Sequence, residues 1–148
     1  FAPHVNSYQR LCQPFASPNN ACWSEDNRAA GLRIPASAPV ARRVENRLPG
    51  ADANPYLALA ASLAAGLHGI ERQLQPSAPI QGEFEVPDEL TLPCTMHAAI
   101  ERLKRSQLAR ELFGEEFVAG YLASKTLELA SFQDEITPWE RRVLAAQV

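Results

Sequence analysis

An α+β fold is predicted for this 148-residue sequence by three features. Seven of the 12 prolines (Pro3, Pro14, Pro18, Pro35, Pro39, Pro49 and Pro55) fall within the first 55 residues. Each removes a backbone donor and disfavours helix in the residue before it. Beyond residue 54 the apolar residues switch to helical spacing, and capping residues stand at the starts of the periodic stretches. Short strands and loops are therefore expected over residues 1–53 and mainly helix over 54–148.

In the front part, Leu32-Arg33-Ile34 and Arg43-Val44-Glu45-Asn46-Arg47-Leu48 alternate with period two, and Pro35 and Pro49 end them. This part is too small for a closed sheet and is expected to supply edge strands to a larger one. Asn54 is a cap and Pro55 suits a first helical position. Leu59, Leu63, Leu67, Ile70 and Leu74 then form a stripe that ends before Pro76. Alanine fills the other faces, so this helix is expected to be packed on more than one side. Residues 75–94, with Pro76, Pro79, Gly82, Pro87 and Pro93, read as a long loop with at most a short hairpin. Thr95 opens a second helical stretch carrying Met96, Ala99, Ile100 and Leu103. Gly114 precedes another, to about Phe132, with Val118, Leu122 and Leu129. Thr137-Pro138-Trp139-Glu140 is a capping box that starts a short terminal helix.

The charges are unevenly distributed. Residues 1–50 hold six arginines, no lysine and three acids, for a net +3, whereas residues 51–148 are net −6. The overall charge of −3 argues against a general nucleic-acid binder. No apolar stretch approaches the ~20 residues a membrane span needs. An arginine-only basic set suits bidentate recognition of carboxylate or phosphate, because guanidinium offers a rigid fork. A solvated basic surface is the plainer reading of the same composition.

Cys12, Cys22 and Cys94 form an odd, widely spaced set that fits neither a zinc site nor a secreted disulfide framework, and reduced cytosolic thiols are the simpler expectation. His4, His68 and His97 are isolated and read as partnered or surface residues. The chain starts at Phe1 with no basic-then-apolar leader, and is expected to begin within a longer protein.

Three segments could carry chemistry. On a strand, Arg43, Glu45 and Arg47 would project from one face. A carboxylate between two guanidiniums is either a self-satisfied surface ladder or the lining of a polar cavity, with Glu45 on a divalent cation and the arginines on anions. In Asn27-Arg28-Ala29-Ala30-Gly31-Leu32-Arg33-Ile34-Pro35, the small residues between two arginines allow close approach by another backbone or a ligand, Gly31 above all. The third is Asn6-Ser7-Tyr8-Gln9-Arg10-Leu11, followed by a proline-rich turn. Neither a nucleophilic triad nor a glycine-rich phosphate loop is present, so any bound phosphate must be held by arginines and metal.

In this order, and followed by Ala51-Asp52-Ala53-Asn54-Pro55-Tyr56-Leu57, the segments closely resemble the C-terminal part of the glutamine synthetase catalytic domain. The match is dense from residue 3 to about 75. It continues more thinly through Leu92-Pro93, Ser106, Gly114, Lys125, Glu128 and Trp139-Glu140. The resemblance implies that residues 1–148 are a C-terminal fragment of such a domain. It further implies a cytoplasmic ligase that phosphorylates the glutamate γ-carboxylate with ATP and Mg²⁺ (or Mn²⁺), so that an amine can attack the acyl phosphate. Arg10 and Arg47 then resemble the arginines that hold glutamate, and Arg28 the one at the transferring phosphoryl group. Arg33 and Arg43 resemble ATP-phosphate contacts, and Glu45 a ligand of the nucleotide-side metal. Under this resemblance the cavity reading of the Arg43, Glu45 and Arg47 face is the expected one. Phosphoryl transfer between anions needs positive charge placed in advance.

Two departures stand out. Val40 replaces a lysine that is frequent upstream of the paired arginines, and Ala16 aligns with the family's flap glutamate, beside Phe15. Phe15 and Ala16 are the amine-pocket candidates. They point to a γ-glutamyl-amine or polyamine synthetase. The alternatives are an ordinary ammonia-using glutamine synthetase and a non-catalytic scaffold or regulatory relative. A homo-oligomer of stacked rings is expected for the full-length protein, and no ligase activity for the 148 residues alone.

Overall fold

The proline-rich front end folds as a short helix and a three-stranded sheet in a computed structural model that describes residues 1–13, 17–82 and 84–147. Helix α1 (Ser7–Cys12) has no side-chain cap and was not marked by periodicity. Strands β1 (Trp23–Glu25), β2 (Leu32–Ile34) and β3 (Glu45–Asn46) lie in the order β1-β2-β3. β2 is the predicted strand, β1 was not foreseen, and β3 keeps only two residues of the predicted 43–48.

β1 and β2 are parallel, in the register Trp23 to Leu32, Ser24 to Arg33 and Glu25 to Ile34. Parallel neighbours usually need a crossover of a dozen or more residues, yet residues 26–31 suffice here. Buried Asn20 closes this connection. Its Oδ1 accepts from the Cys22 and Gly31 amides, both at 3.2 Å, and its Nδ2 donates to the Ala29 carbonyl at 3.0 Å. A side chain thus satisfies groups that a regular ladder would otherwise pair. Gly31 lies so close that a Cβ there would fall 1.9 Å from the Asn20 carbonyl oxygen. The backbone approach anticipated at Gly31 is real.

β2 and β3 are antiparallel, pairing Leu32 with Asn46 and Arg33 with Glu45. Alternation sends Arg33 and Glu45 to one face and Asn46 to the other. From there Asn46 Nδ2 donates to Ser62 Oγ of helix α2 (Pro55–Glu71) at 3.0 Å. The 75–94 segment is irregular apart from a 3-10 turn at Asp88–Leu90, and it follows β1. The Ile80 amide donates to the Trp23 carbonyl at 3.0 Å, and the Ala21 amide to the Leu90 carbonyl at 2.7 Å.

Asn54 Oδ1 caps α2 by accepting from the Tyr56 and Leu57 amides at 3.0 and 3.2 Å, with Pro55 in the first turn. The helix stops at Glu71, and Gln73 at φ 51° leaves Leu74 beyond it. The expected packing on several sides is not found. Leu59, Leu63, Leu67 and Ile70 are 58–75% exposed, and no α2 residue is buried. Within the described residues, nothing covers the stripe that periodicity marked as a core face.

The chain divides into two compact units, Phe1–Ala99 and Ile100–Val148. The predicted change at residue 53 is one of secondary structure, not of compact unit. Buried in the first unit are Leu11, Cys22, Ala30, Leu48 and Met96, with polar Ser7, Asn20 and Ser24. The second stretch predicted from Thr95 begins as α3 (Met96–Lys104), where Thr95 Oγ1 accepts from the Ala98 amide at 3.1 Å. In the second unit α4 (Gln107–Phe113) packs on α5 (Glu115–Gln133), with Ile100, Val118 and Leu122 buried. Gly114 at φ 81° separates them, a conformation that favours glycine. Helix α6 (Pro138–Leu144) starts at the predicted capping box. Thr137 Oγ1 accepts from the Glu140 amide at 3.2 Å, and the Thr137 amide donates to Glu140 Oε2 at 2.7 Å. Among the described residues no helix is long and apolar enough to cross a membrane.

Candidate functional site

The sheet places Arg33 directly opposite Glu45, and the two side chains meet. Arg33 Nη1 donates to Glu45 Oε2 at 2.9 Å, and Arg43 Nη2 donates to Glu45 Oε1 at 2.9 Å. Arg33 Nη2 donates to Asp26, which completes a chain Asp26–Arg33–Glu45–Arg43. The Arg33 guanidinium, with help from Arg43, holds the Glu45 carboxyl below its usual range against the opposing effect of desolvation. Hydrogen bonds to Asp26 and Glu45 push Arg33 upward, so its charge is fixed.

Strand alternation places Arg43, Glu45 and Arg47 on one face, and the structure joins the first two. Glu45 does sit between two guanidiniums, but the second belongs to Arg33, across the sheet. Arg47 follows a different course. Its amide donates to the Gly31 carbonyl at 2.9 Å, and its Nη1 is buried with no hydrogen-bond partner among the described residues. A buried guanidinium donor without an acceptor costs on the order of 1–3 kcal/mol, more for a charged group, unless a ligand supplies one. An anion is the chemistry that fits.

Arg10 belongs to a second cluster. From α1 its Nη1 donates to Ser17 Oγ at 2.6 Å and its Nη2 to the Leu48 carbonyl. Ser7, buried on the same helix, donates to Asp52 Oδ2 at 2.5 Å and accepts from the His4 amide at 2.9 Å. The Ser7 hydrogen bond comes first among the causes that lower the Asp52 carboxyl below its usual value. The turn at Gly50 sits against both groups: a Cβ there would lie 2.3 Å from Asp52 Oδ1 and 3.4 Å from Arg10 Nε. Arg28 stands exposed on the β1–β2 connection, and Val40 is exposed in the 3-10 turn Pro39–Ala41. Phe15 and Ala16 lie outside the described residues.

The structure thus joins Arg33, Arg43 and Glu45, and leaves Arg10, Arg28 and Arg47 outside that network. Asp26, Ser17, Asn20 and Asp52 were missed by sequence reasoning. Asp26 counts there only as one of three acids, Asp52 only as part of a family motif, and Ser17 and Asn20 carry no signal of their own. Their roles come from partners distant in sequence.

As an anion site the donor set is suitable: Arg33 and Arg47 each keep a buried guanidinium nitrogen without a hydrogen-bond partner among the described residues. As a divalent-metal site it is not. Such ions take six or more oxygen ligands in typical sites, and both Glu45 oxygens are engaged by guanidiniums. Among the described residues no group of three or more His, Cys, Asp or Glu is placed to hold a metal.

Comparison with known proteins gives concordant results. The family profile described as the glutamine synthetase catalytic domain matches residues 1–144. A γ-glutamylethanolamide synthetase of Streptomyces coelicolor is 42% identical over 142 residues, covering 96% of this chain and 30% of the relative. A glutamate–isopropylamine ligase of a Pseudomonas species is 41% identical, covering 95% and 31%, respectively. A glutamine synthetase of Thermus thermophilus is 40% identical, covering 93% and 33%. Among solved structures, one described as apo GmaS without ligand superposes with a TM-score of 0.79 at 36% identity, over 96% of this chain and 33% of that one. The chain spans about a third of the length of these relatives.

Proposed function

The chain belongs to the glutamine synthetase catalytic-domain family, and from that premise we propose that it is the C-terminal part of an ATP-dependent glutamate–amine ligase. The complete enzyme phosphorylates the γ-carboxylate of glutamate and joins the γ-glutamyl group to an amine. The observation that carries this reading is the buried, unpartnered Nη1 of Arg47. It is a preformed donor for a carboxylate, on a residue that the family resemblance assigns to glutamate.

Each residue has a defined task. Arg10 and Arg47 bind the glutamate carboxylates, Arg10 being held in place by Ser17 and the Leu48 carbonyl. Arg33 and Arg43 bind the nucleotide phosphates, and Arg28 meets the transferring phosphoryl group from its exposed loop. These charges stabilise an anionic transition state because they are in position beforehand. A divalent ion, when bound to the complete enzyme, offsets phosphate charge. Glu45, once released by Arg33 and Arg43, would supply one of its ligands and other parts of the enzyme the rest. For that reason the 148 residues alone are inactive. A non-catalytic relative would have no use for an unpaired buried guanidinium, which is costly without a ligand.

The amine is a primary alkylamine, hydroxyalkylamine or polyamine. Two of the relatives above are named for ethanolamine- and isopropylamine-derived chemistry. Residues 10–20 contain no Asp or Glu, so the flap offers no carboxylate to capture ammonium. Asp52, which lies near Arg10, is committed to Ser7. Phe15 is the apolar candidate of that segment, and burial of the amine's carbon chain is worth roughly 0.8 kcal/mol per CH₂. Ordinary ammonia use is the second reading, favoured by the similarity to the Thermus thermophilus glutamine synthetase. The test is ATP turnover by the full-length enzyme with glutamate plus ammonium, ethanolamine, isopropylamine or putrescine. An organic amine is expected to give the highest kcat/KM. Ammonium in first place would return the protein to ordinary glutamine synthesis.

A further inference from the structure

Two of the three cysteines meet. Cys12 closes α1 and Cys94 stands just before α3, 82 positions away in sequence. Cys12 Sγ nevertheless donates to the Cys94 carbonyl at 2.9 Å. The Cys94 thiol is a neighbour as well. After desolvation, its hydrogen bond with Cys12 is what pushes the Cys12 thiol above its ordinary value.

Contacts that involve neither sulfur hold both residues in place. Helix α1 is tied down by Ser7 on Asp52 and by Arg10 on the Leu48 carbonyl. The main chain leading to Cys94 is paired with the front segment. Its Leu92 amide donates to the Asn19 carbonyl at 2.8 Å, and Thr91 forms an antiparallel bridge with Asn20. The meeting of Cys12 and Cys94 is therefore a product of the fold.

The third cysteine has a different environment. Cys22 is 1% exposed and burial pushes its thiol up, which makes it inert. Cys12 is exposed and Cys94 half-buried, so a small reagent can reach the pair. Two thiols are too few for a structural zinc site, and no third metal-binding side chain joins them among the described residues. A bond between the two sulfurs is the chemistry that remains.

We infer that Cys12 and Cys94 form a site of reversible thiol–disulfide modification, with a low-molecular-weight disulfide as the oxidant. The Cys12 thiolate attacks one sulfur of that disulfide, a small thiol leaves, and a mixed disulfide forms. The Cys94 thiolate then attacks the Cys12 sulfur and expels the second small thiol. Two electrons and two protons pass from the protein to the small disulfide, which ends as two thiols. The new bond ties the end of α1, the helix that carries Arg10, to the turn before α3. Exposed disulfides are the labile ones, so a reducing buffer reopens it. The inference does not rest on the proposed function, and its test requires no turnover.

The experiment incubates the native full-length enzyme in buffers of reduced and oxidised glutathione, followed by alkylation and non-reducing peptide mapping. Chymotrypsin cuts after Phe15 and so separates Cys12 from Cys22. A Cys12–Cys94 cross-linked peptide is expected in oxidising buffer, with Cys22 still alkylated and dithiothreitol restoring both thiols. At a fixed ratio of reduced to oxidised glutathione, doubling the total should lower the ratio of linked to open enzyme about twofold, because two small thiols are released per bond. Cys94→Ser should leave Cys12 as a glutathione mixed disulfide. Separate alkylation of Cys12 and Cys94 in oxidising buffer would overturn the site. A wild type that stops at the mixed disulfide, and so ignores total glutathione, would overturn it as well. So would a cross-link obtained only in urea, where chance encounter in the unfolded chain suffices.

Discussion

The sheet region and the C-terminal helices are held together in different ways. In the sheet, the contacts that matter join residues far apart in sequence: Asn20 to Gly31, Arg33 to Glu45, Arg10 to Leu48 and Ser7 to Asp52. In the helices, order is set within a few residues. Ser106 caps α4 through the Ala109 amide, Thr137 and Glu140 cap α6, and Lys125 pairs with Glu128 one turn away. Charge is placed by long-range register in the first region and by local rules in the second. A site that must hold several cations close together needs the first kind of support. Like charges repel, and only strands and carboxylates brought from elsewhere can fix them.

That contrast is broken most severely at Gly31. A Cβ there would overlap the Asn20 carbonyl, a backbone atom that cannot swing aside. Gly31→Ala is expected to cost about 3 kcal/mol or more and to lower Tm of the enzyme by several degrees. A wild-type Tm would show that the β1–β2 connection can relax. Next comes Asn20→Ala, which leaves the Cys22 and Gly31 amides and the Ala29 carbonyl without this partner. Buried groups left unpaired cost roughly 1–3 kcal/mol each before relaxation, so denaturant unfolding should give a loss of about 2–4 kcal/mol.

Local support should fail more gently. Thr137→Ala removes the α6 cap and is expected to cost about 1 kcal/mol, with glutamate and ATP kinetics unchanged. A loss as large as that of Asn20→Ala would erase the distinction between the two regions. The smallest effect is one of pH. The Glu45 carboxyl is held below its ordinary value of 4.5 by Arg33 first and Arg43 after it. Its contribution to stability is therefore present above the ordinary value and is lost as pH falls through the lowered one. The Tm difference between wild type and Glu45→Gln should shrink on acidification below the ordinary value. A difference independent of pH would show that the pairing does not act through charge.

The same contrast explains what was legible in the sequence. The α2 cap at Asn54, the α6 capping box and the break at Gly114 depend on neighbours within four residues, and all were visible. Strand β1 was not, since Trp23-Ser24-Glu25 is a strand because β2 and the 75–94 segment pair with it. Helix α1 has six residues and no capping side chain. The apolar stripe of α2 was legible as a core face, but not that it lies uncovered within the described residues. At the site, period two rightly joined Arg43 to Glu45. It could not reveal Arg33 as the second partner, because that depends on antiparallel register across the sheet. Continued by one residue, the same register sets Arg47 opposite Gly31, which has no side chain to meet it.

Arg47→Ala in the full-length enzyme tests the central claim most directly, with glutamate and ATP each titrated in the presence of an organic amine. Removing a bidentate, charge-assisted contact from a buried carboxylate costs on the order of 2–5 kcal/mol. Glutamate kcat/KM should therefore fall by roughly thirtyfold or more, while the KM for ATP stays near its wild-type value. Unchanged glutamate dependence, or an equal loss for ATP, would contradict the assignment of the buried Arg47 donor to the glutamate substrate.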